Sequence, residues 1–163
     1  MGWLWCFARV LVRAPSGRQR FNVLGALHAV THQLITVTND SYINATSVCE
    51  LLEKIAALGL STPMTVVMDN ARYQRCRLVV EKATALGIEL LFLPTYSPNL
   101  NLIERLWKFV RKECLYSTYY EHFDAFKQAI TLCLSETTGR HQAALNRLLT
   151  LEFQTFESAA RDR

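Results

Sequence analysis

Asp69 and Glu104 are the two residues whose types and surroundings point most directly to chemistry. Asp69 closes a short apolar run, Thr65, Val66, Val67 and Met68, which reads as a strand buried on both faces. Glu104 falls in the first turn of a helix predicted over residues 101–116, after a further strand at 88–93. If the two strands are parallel neighbours, both carboxylates reach the rim where α/β sheets bind ligands. Paired carboxylates on one rim suit Mg²⁺, which takes few hard oxygen ligands together with phosphate and water. Two such ions can clamp the attacking and the leaving oxygen of a phosphoryl transfer. Both residues also have a structural reading. Asn101-Leu102-Ile103-Glu104 has the spacing of a capping box, and Asp69-Asn70 suits an Asx turn at a strand end. On composition and spacing alone the structural reading is the stronger.

The Glu104 helix is basic. Glu104, Arg105, Lys108, Arg111 and Lys112 share its polar face, with Trp107 at the border. Such a face can contact phosphates beside the carboxylates, and it can equally be a solvated surface. His28 and His32 stand four apart in a strand-turn context, so they share no helical face and suggest no metal site.

Periodicity supplies the elements that must position these groups. Residues 3–12 are aromatic and β-branched and read as a strand, punctuated by Pro15-Ser16-Gly17. Residues 21–29 and 34–38 read as an antiparallel hairpin with a turn at Thr31-His32. Gly25 inside the first of these marks a bulge or a close approach. Val48, Leu51, Leu52, Ile55 and Leu58 then recur at helical spacing, with Asn44 as cap and Gly59 as stop. Cys76, Val79, Val80 and Ala83 form another stripe, stopped by Gly87. Helices follow with Phe123, Phe126, Ile130 and Cys133, and at 141–151 with Leu145, Leu148 and Leu149 inward. A hairpin followed by strand-helix-strand crossovers gives a mixed α/β sheet.

The chain has 163 residues, about one domain's worth, and half of them are hydrophobic. That excludes a disordered or collagen-like polymer. A net charge of +4 permits a polyanionic partner without demanding one. The apolar stretch at 3–12 is too short to span a bilayer and lacks the flanks of a signal peptide, so no membrane role is expected. Five cysteines without a Cys-x-x-Cys spacing argue against a disulfide framework or zinc site and for a cytoplasmic protein.

Two blocks go beyond composition. Val66-Val67-Met68-Asp69-Asn70-Ala71-Arg72 is the first. The second runs Leu91-Phe92-Leu93-Pro94-Thr95-Tyr96-Ser97-Pro98-Asn99-Leu100-Asn101-Leu102-Ile103-Glu104-Arg105-Leu106-Trp107. Together they resemble the DDE transposases of the Tc/mariner superfamily, in its bacterial insertion-sequence branch. The second block is similar to that family's LP-x-YSP-x-LN-x-IE-x-x-W signature, and Phe21 to Leu27 looks like the family's second sheet strand. Leu102 stands where many members have Pro, and Gln74 where many have His.

The resemblance implies an RNase H-like mixed sheet flanked by helices. It implies a site of three carboxylates and two divalent ions, Mg²⁺ or Mn²⁺, that cuts DNA at transposon ends and joins it to a target. Asp69 matches the second carboxylate and Glu104 the third, and the 34 residues between them are similar to the family's spacing. Arg72, Lys108, Arg111 and Lys112 are the expected DNA contacts. Residues 1–116 would form the core and residues 117–163 a helical extension packed on it.

The family's first Asp belongs to a central strand that the match places upstream of residue 3. The expectation is therefore a catalytic core without that strand, inactive alone. Residues 21–29 and 65–68 would border the empty slot and residues 3–12 would lie outside it. A non-catalytic regulator that binds DNA, full-length transposase or a second copy of itself is an alternative, as is another RNase H-like nuclease.

Overall fold

The computed structural model describes residues 19–94 and 100–153. The strand expected at 3–12, the turn at 15–17, Cys6 and residues 95–99 of the signature lie outside the described residues. Four strands and five helices follow in the order β1 (Asn22–Leu27), β2 (Leu34–Asn39), α1 (Ala45–Ala56), β3 (Met64–Met68), α2 (Arg77–Ala85), β4 (Ile88–Phe92), α3 (Leu102–Cys114), α4 (Phe123–Ser135) and α5 (Gln142–Leu148).

β1 and β2 form an antiparallel hairpin with Asn22 opposite Asn39 and Leu27 opposite Leu34. His32 turns the chain with φ at 59°, and its amide donates to the His28 carbonyl at 3.0 Å. Both imidazoles serve this corner. Nδ1 of His28 accepts from the backbone N–H of Val30 and Thr31, and Nδ1 of His32 lies 2.9 Å from Asn146 Oδ1 in α5. β3 and β4 pair in parallel, with Met64 opposite Ile88 and Met68 opposite Phe92. Among the described residues no strand pairs with the second edge of β1 or of β3.

The hairpin is covered on both faces. Leu24, Ala26, Ile35 and Val37 join α1, α2 and the inner faces of β3 and β4 in one core. Phe21, Val23, Leu27 and Leu34 join α3, α4 and α5 in a second. This period-2 division explains why β1 reads as a nearly unbroken apolar run.

Gly25 falls on the α3 face, and the continuous register excludes a bulge there. It is a site of close approach. A Cβ on Gly25 would stand 3.0 Å from Cη2 of Trp107 and 3.2 Å from Cδ1 of Ile103. The missing side chain lets α3 sit down on the hairpin.

Several expectations are corrected by the packing. The strand at 65–68 is covered on one face: Met64, Val66 and Met68 point into the core, whereas Val67 is 46% exposed and its partner Leu91 50%. The same outer face carries Thr65, whose hydroxyl donates to Glu89 at 2.7 Å, a polar pair suited to solvent. In α2 only Val79 and Ala83 are buried; Val80 turns outward, and Cys76 is the N-cap residue. Leu58 lies beyond the C-cap of α1 and Leu148 faces out of α5. α1 itself starts as expected, with a complete capping box between Asn44 and Ser47.

Candidate catalytic and DNA-binding site

Asp69 is the first residue after β3, at the carboxyl end of the parallel pair, and it is exposed. The pairing continues one step past the strands, because Leu93 N–H donates to the Met68 carbonyl at 2.9 Å. That bond fixes the backbone immediately before Asp69. The chain returns to the same rim at Asn101, the N-cap of α3.

Asn101 bridges the two catalytic candidates. Its Nδ2 donates to Asp69 Oδ1 at 2.7 Å. Its Oδ1 accepts from Ile103 N–H at 3.3 Å, and its carbonyl accepts from Glu104 N–H at 3.2 Å. One neutral side chain thus caps the helix and ties its first turn to the end of β3. The reciprocal bond from position N3 that completes the box at α1 is not made at α3. Glu104 therefore does not spend its carboxylate on the cap, and the capping-box reading of this residue fails. Glu104 is half-buried at the start of α3, where the helix dipole favours an anion.

The basic stripe divides. Lys108, Arg111 and Lys112 are exposed on the Glu104 face, and Arg111 and Lys112 lie in the last turn of α3, where cations are favoured. Arg111 Nε also donates to the Trp107 carbonyl at 3.2 Å. Arg105 departs from the group. Its guanidinium donates to the carbonyls of Leu148, Thr150 and Glu152 and lies 5.1 Å from the Phe153 ring centroid. It pins the segment after α5 and is not part of a phosphate face. Arg72 is exposed in the turn after β3.

Asp40 stands between the chain start and Asp69 as the one further Asp. It pairs with Lys127 of α4 at 3.0 Å, at the end of β2. That ion pair gives it a structural partner remote in sequence from the candidate site. Among the described residues no three His, Cys, Asp or Glu side chains are grouped to hold a metal. The pair Asp69 and Glu104 nevertheless fits Mg²⁺ by donor type. Both offer hard oxygens, and Mg²⁺ commonly takes one or two carboxylates and completes its shell with water and substrate phosphate. Asp69 has one oxygen held by an amide N–H, which orients the carboxylate without neutralising it.

Sequence reasoning singled out Asp69 and Glu104 as candidates but not the bond from Asn101 to Asp69, since Asn101 was visible only as a possible cap. It had no signal for Arg105, whose acceptors lie more than 40 positions away.

No curated protein matches the sequence. A chain in the cryo-electron microscopy structure of a simian T-cell lymphotropic virus intasome in complex with PP2A regulatory subunit B56 gamma is similar in fold. The TM-score is 0.54 at 14% identity, and the match covers 75% of this chain and 43% of that one. The present chain thus spans less than half of that chain's length. The mixed α/β arrangement agrees with this likeness. The family described as DDE superfamily endonuclease matches residues 8–127, most of the chain and all of β1 to α3. The chain belongs to the DDE superfamily endonucleases.

Proposed function

We propose that the chain is the catalytic-domain portion of a transposase of the Tc/mariner superfamily, in its bacterial insertion-sequence branch, acting on transposon-end and target DNA. The observation that carries this reading is the 2.7 Å bond from Asn101 to Asp69, which ties the start of the Glu104 helix to the end of β3. Asp69 and Glu104 would hold Mg²⁺ or Mn²⁺. Two such ions, when bound, stabilise the attacking and leaving oxygens of a phosphodiester displacement. Asn101 holds the Asp69 carboxylate in one orientation. Lys108, Arg111, Lys112 and Arg72 provide positive charge for the DNA backbone. Residues 1–116 would form the core, and residues 117–163 the helical extension that buries α3 from its other side. Packing of Ile130, Cys133, Leu134 and Leu145 against Leu106 and Val110 supports that division of labour.

Asp40, the one further Asp before Asp69, is engaged by Lys127, which argues against its completing the centre. The isolated chain is therefore expected to bind divalent metal and DNA but to cleave DNA negligibly. Mn²⁺ binding followed by electron paramagnetic resonance tests the site. Asp69→Asn and Glu104→Gln should each weaken it, and unchanged binding in both would reject the assignment. Robust cleavage that disappears in Asp69→Ala would show instead that another group completes the centre.

A further inference from the structure

We infer that Arg75 is a phosphate-binding residue at the rim of this site, held in position before DNA arrives. The inference rests on the DDE reading above and extends it to a residue outside the signature blocks. Arg75 Nη1 donates to Asn70 Oδ1 at 2.8 Å, and the guanidinium carbon lies 6.0 Å from the Phe92 ring centroid. Asn70 is the neighbour of Asp69, and Phe92 ends β4. The cation therefore sits at the carboxyl ends of both parallel strands, bonded to the residue that follows the candidate metal-binding Asp69. Its backbone is fixed as well, because its N–H donates to the carbonyls of Ala71 and Arg72.

The partners are what make this arrangement informative. A guanidinium ordinarily takes a carboxylate as a charge-assisted bidentate partner. Here each group is held by a neutral amide instead. Asn101 occupies Asp69 Oδ1, and Asn70 occupies Arg75. Among the described residues Arg75 makes no ion pair, whereas Arg77, two positions on, is paired with Glu81 at 2.6 Å. Arg75 thus keeps its charge for an anion. Only one of the five guanidinium N–H donors is used by Asn70. The side chain is exposed, so the remaining donors face solvent. Ordering a long flexible side chain in advance lowers the entropic cost of the contact it later makes. The anion that fits a rim holding Asp69 is a DNA phosphodiester next to the one positioned for metal binding.

The test is fluorescence anisotropy of a labelled DNA duplex with the full chain, from 50 to 200 mM KCl, with Ca²⁺ as the divalent ion. Arg75→Gln should weaken binding about 10-fold at low salt and reduce the salt slope by about one. Arg75→Lys should keep the slope but recover only part of the affinity, since an ammonium lacks the planar fork. Asn70→Ala leaves the net charge unchanged and should still weaken binding, because the guanidinium loses its anchor. Unchanged affinity and slope in Arg75→Gln would overturn the inference. Lys108→Ala and Arg111→Ala, measured in parallel, separate it from the broader reading. Loss in those two with Arg75→Gln unaffected would reject Arg75 alone. Absence of salt-dependent binding by the parent chain would reject both. If Arg75→Gln does not fold by circular dichroism, the Lys and Asn70 variants decide the question.

Discussion

Gly25→Ala is the substitution whose consequence follows most directly from measured geometry. The added methyl would lie 3.0 and 3.1 Å from two carbons of the Trp107 ring and 3.2 Å from Ile103 Cδ1. Carbon atoms pack best at about 3.5–4.0 Å, so three contacts are each short by several tenths of an ångström. Trp107 and Ile103 are both half-buried on α3 and belong to the core under β1. Relief therefore requires the helix to move or the ring to leave its position. Overpacking of this kind costs about 1–3 kcal/mol. Restricting the unfolded chain by replacing Gly returns about 0.4–1 kcal/mol. The net loss should be about 1–2 kcal/mol, or a fall in Tm of about 2–8 °C for a chain of this size. A double-mutant cycle with Trp107→Phe isolates the cause, since the smaller ring lacks the outer edge that Cβ meets. Trp107→Phe should be destabilising alone. In that background Gly25→Ala should become neutral or slightly stabilising, which gives a coupling of at least about 1 kcal/mol. Urea denaturation of the four proteins measures it. Equal destabilisation by Gly25→Ala in both backgrounds would refute the close-approach explanation.

Other outcomes follow from the site and the second core. Asn101→Ala should cost about 1 kcal/mol for the lost cap and a similar amount for the lost bond to Asp69, read as a lower urea midpoint. Asn101→Asp should keep the cap and instead oppose Asp69. The like-charge penalty should appear as a lower urea midpoint at pH 7 that recovers in part at high salt. Arg105→Ala should destabilise by about 2–3 kcal/mol and expose the segment after α5 to limited proteolysis. Arg105→Lys should restore less than half of this, because one ammonium cannot reach all three carbonyls. Burial among α3 and α4 side chains, with the Cys114 thiol beside it, pushes the Cys133 thiol up to about 12. A thiol pKa raised on folding favours the native state fully below the unfolded thiol value. That contribution is lost as pH rises from about 9 towards 12. Stability should fall across this window in wild type and less so in Cys133→Ala, and alkylation at pH 8 should leave Cys133 unlabelled until unfolding.

Much of this was legible in the chain itself. Helical spacing located α1, α3 and α4, because each must bury one stripe and the apolar residues mark it. Asn44, Gly59 and Gly87 punctuate the elements because caps and positive-φ positions admit few residue types; Gly59 and Gly87 have φ of 61° and 68°. Asp69 and Glu104 stood out because the two blocks around them are long and ordered. Tertiary structure decided the rest. Local pattern could not tell a bulge at Gly25 from a close approach, since that depends on a Trp more than 80 positions later. It could not show that Val67 faces outward, since an apolar run is the same whether one face is covered or both. It grouped Arg105 with Lys108, Arg111 and Lys112, and only the return of the chain after α5 gave Arg105 its three carbonyl partners. It offered Asn101 as a cap and could not reveal that its other end holds Asp69 across 32 positions. Periodicity reports which side of an element meets the interior. Which distant group a side chain meets depends on how elements cross, and that is determined by packing of the whole chain.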